Sequence, residues 1–152
     1  MNSLILLLLI TLCYAGYNLL VKLAGEQAGG VSPILATVAL QVAALSVSCI
    51  YLAWLLRQGQ ALVLPDRAFQ FAILAGVCIG LAEIMYFYLF RGFAGEQVLP
   101  ASLAIPLVVG GTIVVSVLVA VLAFGERPNS VQWLGIALAG CGMLVLALGS
   151  RT

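Results

Sequence analysis

Apolar residues in this chain fall into five long runs, near residues 3–23, 33–56, 68–90, 98–124 and 130–149, with short polar stretches between them. A helix crossing the hydrocarbon core needs about 20 consecutive, mostly apolar residues, and every run supplies them. The one connection long enough to be a polar loop runs from Arg57 to Arg67. No soluble domain fits outside the membrane. The pattern predicts an all-α integral membrane protein, a single domain of five transmembrane helices over residues 1–152.

Polar residues inside those runs carry the functional information. In helix 1, Tyr14, Asn18 and Lys22 recur at a spacing of four, which stacks them on one face, and Tyr17 flanks that stripe. A polar stripe in a membrane helix faces the bundle interior or a water-filled cavity. Lys22 sits at the helix end, where snorkelling to the headgroups is the plainer reading. Helix 2 opens on Pro33, a position where the missing N–H costs nothing. Its Ala36, Ala39, Ala43 and Ser46 allow close helix approach, and Gln41 is expected to hydrogen-bond between helices.

Glu83 is the sharpest residue in the chain. It lies about four residues from the middle of its run, roughly 6 Å off centre at the helical rise. A charge near the bilayer centre costs roughly 2.5–3.5 kcal/mol on an insertion scale. A carboxyl placed there is suited to exchange a proton for a cationic substrate. Its helix face also holds Gly76, Gly80, Tyr86, Phe87 and Phe90. The glycines permit close packing, and the rings suit a flat or cationic organic ligand. The plainer reading is a structural glutamate, protonated or paired with Lys22 or Arg91.

In helix 4, Ser102, Pro106 and Gly110 share a face, and Pro106 removes a backbone hydrogen bond inside the span. They mark a cavity or hinge. Thr112, Ser116 and Ala120 form a small-residue contact stripe. Gly125 to Ser130 reads as structural punctuation between helices. Helix 5 opens on Trp133, which fits an interfacial aromatic belt. Its Gly135, Ala139, Gly140 and Gly142 point to a dimer or bundle contact.

Composition narrows the classes further. The chain is 64% hydrophobic and 7% charged, against roughly a quarter charged in soluble domains. A formal charge of +1 argues against a nucleic-acid surface. Histidine is absent, and with it the commonest general base and metal ligand. No enzymatic activity, metal site or cofactor is expected. Cys13, Cys49, Cys78 and Cys141 form no CxxC pair and read as small apolar residues in helix packing. The first run lacks a basic start and exceeds the 7–15 residues of a signal-peptide core, so it is expected to remain as the first helix.

The six basic residues add a topological expectation. Five spans put Arg57, Arg67 and Arg127 on one side of the membrane and Lys22, Arg91 and Arg151 on the other. Orientation follows Lys/Arg asymmetry in short loops, and here there is none. This predicts dual topology and an antiparallel homodimer.

At this point the residues resemble a known family. Pro106…Gly125-Glu126-Arg127-Pro128…Gln132-Trp133-Leu134-Gly135…Gly140-Cys141-Gly142 resembles the end of an EamA repeat of the drug/metabolite transporter superfamily. Ala15-Gly16-Tyr17-Asn18…Lys22…Pro33 resembles the start of one. Most such transporters carry two inverted repeats and ten helices, so this chain resembles a half-size member that pairs to complete its pathway. The resemblance implies a cavity lined mainly by helices 1, 3 and 4.

Two departures from related patterns stand out. The membrane glutamate in helix 1 of the small multidrug resistance group has no counterpart here, since Glu83 lies in helix 3. The arginine that many members carry near the start of helix 2 is missing, and Gln41 is the polar residue of that helix.

The expected function is secondary transport of small organic metabolites or amphipathic cations by alternating access, in the inner (plasma) membrane, proton-coupled through Glu83. Tyr14, Asn18, Tyr86 and Ser102 would complete the substrate or proton site. Tyr17, Lys22, Gln41, Phe87, Phe90, Pro106 and Gly110 would form its cavity or hinge. Expected partners are the lipid bilayer, a small-molecule substrate and a second, inverted copy of the chain. The alternative is a non-transporting membrane scaffold or a subunit of a heteromeric transporter.

Overall fold

The computed structural model describes residues 3–27, 33–92 and 98–149; Arg151 of the charge tally lies outside them. It holds five helices: α1 (Ser3–Gln27), α2 (Pro33–Arg57), α3 (Asp66–Arg91), α4 (Ala101–Phe124) and α5 (Ser130–Gly149). Each is long and apolar enough to cross a membrane, and no strand occurs among the described residues.

Helix ends differ from the expected limits where polar residues extend or cap a helix. α1 runs on to Gln27, past the expected end at 23, and Lys22 and Glu26 pair along it at 3.3 Å, an i,i+4 contact that supports helix. α3 starts at Asp66, directly after Pro65, whose carbonyl accepts the Phe69 N–H at 3.0 Å. An acidic residue in the first turn suits the positive end of the helix dipole. α4 starts at Ala101 rather than 98, because Pro100 is extended (φ −62°, ψ 143°) and caps the helix from outside. The Pro100 carbonyl accepts the N–H groups of Leu103 and Ala104, both at 2.9 Å.

The chain forms two compact units, Met1–Val98 and Leu99–Thr152. In the first, α3 packs against both α1 and α2. Lipid tails are as apolar as leucine, so membrane helices associate through close packing and hydrogen bonds rather than hydrophobic burial. The buried positions obey that rule. On α1 they are Asn18, Val21 and Gly25; on α3 they are Glu83, Tyr86, Phe87 and Phe90, one face at helical spacing.

Gly25 makes the closest approach among the described glycines of this unit. A Cβ there would stand 3.0 Å from the Phe90 Cβ and 3.7 Å from the Phe87 carbonyl oxygen. Where α3 meets α2, a Cβ on Gly80 would stand 3.3 Å from the Gln41 amide nitrogen, whereas Gly76 is open. Gln41 is a packing neighbour of Gly80 and makes no interhelical hydrogen bond among the described residues. Pro33 and Thr37 are the buried residues of α2, with the Thr37 hydroxyl donating to the Pro33 carbonyl at 3.2 Å.

In the second unit α4 packs against α5. Gly110 is buried, and a Cβ there would overlap the Met143 side chain. The turn between the helices is tightly specified. Gly125 takes the left-handed conformation (φ 67°) that glycine adopts without steric cost, and its N–H closes α4 on the Ala120 carbonyl. Asn129 and Gln132 then cap α5 reciprocally: each backbone N–H donates to the other's side-chain oxygen, at 2.7 and 2.8 Å.

The four cysteines are free and exposed. Within the single chain they are not packed between the described helices.

Candidate functional site

Glu83 organises the site. It is 5% exposed, on the face of α3 that meets α1. The Tyr17 hydroxyl of α1 donates to Glu83 Oε1. Oε2 has no hydrogen-bond partner, and it is the buried side-chain oxygen or nitrogen of which this holds among the described residues. An unpaired buried polar atom costs about 1–3 kcal/mol, and more when it carries charge. A buried polar atom without a partner calls for a physical explanation, such as a proton, a water, an ion or a ligand.

A second cross-helix bond runs the opposite way. The Tyr86 hydroxyl of α3 donates to Asn18 Oδ1 of α1 at 2.8 Å, and Asn18 Nδ2 donates to the Tyr14 carbonyl at 2.9 Å. The Tyr17 and Tyr86 rings stack with centroids 6.5 Å apart, and Phe90 tilts against Tyr86 at 4.9 Å. Each helix thus gives one tyrosine to the other's polar residue. Tyr17, expected to flank the polar stripe and to line the cavity or hinge, is the residue that holds Glu83.

The other expected residues fall in different places. Tyr14 is 64% exposed, and its ring meets that of Tyr17 edge-on at 6.3 Å. Phe87 and Phe90 are each 1% exposed and form the packed end of the α1–α3 contact. Lys22 pairs with Glu26, so the structural reading in which Lys22 neutralises Glu83 is replaced by a bond along α1. Ser102, Pro106 and Gly110 belong to α4 in the second unit: Ser102 is exposed, Pro106 half-buried and Gly110 buried. Without an N–H on Pro106, the Ser102 carbonyl lacks its usual helical partner.

A shallow groove of about 410 Å³ runs along α1, lined by Leu9, Ile10, Cys13, Tyr14 and Tyr17. Tyr17 belongs both to this groove and to the Glu83 bond. A larger groove of about 710 Å³ lies in the second unit, reaching from Ile113 and Val117 to Glu126, Arg127 and Gln132. It holds no buried unpaired polar atom among the described residues.

Compared with known proteins, residues 1–148 match the model of the EamA-like transporter family. No curated protein and no solved structure matches the chain.

Proposed function

Because the chain belongs to the EamA-like transporter family, we propose that this multi-pass membrane protein is a secondary transporter of small organic metabolites or amphipathic cations, working by alternating access in the inner (plasma) membrane. The observation that carries the reading is the open Oε2 of Glu83 in an otherwise satisfied polar cluster. An ionisable residue inside a membrane is a candidate functional site by default, and this one keeps an oxygen in reserve. Protons and cations would take turns there. Asn18 and Tyr86 position the site, Tyr17 holds the carboxyl, and Pro106 and Gly110 let α4 bend.

We assign the working form to an antiparallel homodimer. The match covers one repeat of five spans, and the basic residues give no side preference. Liposomes containing this chain alone, loaded at acid pH and diluted into alkaline buffer, are expected to accumulate organic cations as protons leave. Lack of uptake would remove the self-sufficient transporter and favour a subunit that needs a different partner. Paired C-terminal reporters, active on opposite sides of the membrane, should both give signal in cells. Signal from one reporter alone would overturn the inverted homodimer.

A further inference from the structure

We infer that the Glu83 site selects for an N–H donor: it takes primary or secondary ammonium ions with an apolar body and discriminates against quaternary ammonium ions. The inference rests on Glu83 being the substrate site, as proposed above.

The cluster's own donors are already committed. The Tyr17 hydroxyl goes to Oε1, the Tyr86 hydroxyl to Asn18, and the Asn18 amide to the Tyr14 carbonyl. Oε2, in a residue 5% exposed, is left short of one donor. A protonated amine brings a hydrogen and a positive charge together, and such charge-assisted bonds are about twice as strong as neutral ones. A quaternary ammonium carries the same charge but no N–H, so Oε2 stays unfilled. Cation–π attraction to the Tyr17 and Tyr86 rings is open to both kinds of cation and needs no N–H. Discrimination therefore falls to Oε2. The groove that shares Tyr17 has no charged side chain along Leu9, Ile10, Cys13 and Tyr14, which fits a hydrocarbon or aromatic body on the amine.

Proton and ammonium compete for one oxygen. The exchange is R–NH3⁺ plus the Glu83 carboxylic acid giving the carboxylate–ammonium pair, with one proton released to water. Other titratable or charged groups nearby are Tyr17 from α1 and Tyr86 from α3. Lys22 and Glu26 pair with each other further along α1, and Arg91 closes α3. α2 presents uncharged Gln41 at Gly80.

The test compares phenethylamine with its N,N,N-trimethyl analogue, binding to the full chain in lipid nanodiscs by calorimetry. Phenethylammonium should bind at least about tenfold more tightly. Equal or tighter binding of the trimethyl compound, or no binding of either, overturns the inference. Because both ligands meet the unmodified chain, no variant needs to fold for this result. Glu83→Gln then separates the two levels. Equal binding of both probes that Glu83→Gln abolishes defeats the selectivity and leaves the Glu83 substrate site standing. Binding indifferent to Glu83→Gln defeats both.

Discussion

Glu83→Gln is expected to slow proton-driven cation uptake by about ten- to a hundredfold and to flatten what remains against pH. The substitution keeps the side chain's shape. Its amide oxygen still accepts from the Tyr17 hydroxyl, as Oε1 does, and its NH2 takes the place of the unpartnered Oε2. What is lost is a group that alternates between a proton and a cation. A hydrogen bond to a charged group contributes about 1.5–3 kcal/mol, which sets that range of rates. Uptake in liposomes, with circular dichroism and gel filtration alongside, measures it. An unchanged pH profile would remove Glu83 from coupling. A variant that fails to fold or dimerise would assign Glu83 to structure.

The second large effect concerns packing, and it runs against the raw overlaps. Gly110→Val pushes into Met143 more deeply than Gly25→Val pushes into α3. Even so, Gly25→Val should destabilise more, by about 1–3 kcal/mol, the usual cost of overpacking. Its neighbours are the Phe90 Cβ and the Phe87 carbonyl, which move only if the helix moves. Met143 is an unbranched thioether that can swing to another rotamer, so Gly110→Val should cost less than about 1 kcal/mol. Unfolding in mixed detergent micelles gives both numbers, and the reverse order would show that α1 and α3 yield more easily than their contact implies.

The α3 face was legible in the sequence and the α1 face only partly so, for one physical reason. Glu83, Tyr86, Phe87 and Phe90 announce a face because a carboxylate and three rings at helical spacing stand out from aliphatic residues. On α1, the polar stripe Tyr14, Asn18, Lys22 looks like the inward face, yet the buried set is Asn18, Val21 and Gly25. Val21 and Gly25 carry no signal in a helix where nearly every residue is apolar. Hydropathy separates inside from outside only when the outside is water, and here the outside is lipid. Tyr17 was underrated for a related reason: it lies beside the stripe, and only the placement of Glu83 on the neighbouring helix gives its hydroxyl a partner. The five helices were legible because bilayer thickness dictates their length. Their ends shifted where Pro100 caps α4 and where the Lys22–Glu26 pair lies on the extension of α1.

The two tyrosine bonds between α1 and α3 point in opposite directions, Tyr17 to Glu83 and Tyr86 to Asn18. Sliding one helix along the other by a turn, about 5.4 Å, would break both at once and strand four polar groups in a place without water. Rolling α1 on its axis would pull the same two bonds apart. The pair is therefore latched against the small independent shifts that membrane helices commonly make. Under the proposed alternating access, the motion that exposes Glu83 first to one side of the bilayer and then to the other has to carry α1 and α3 as one piece.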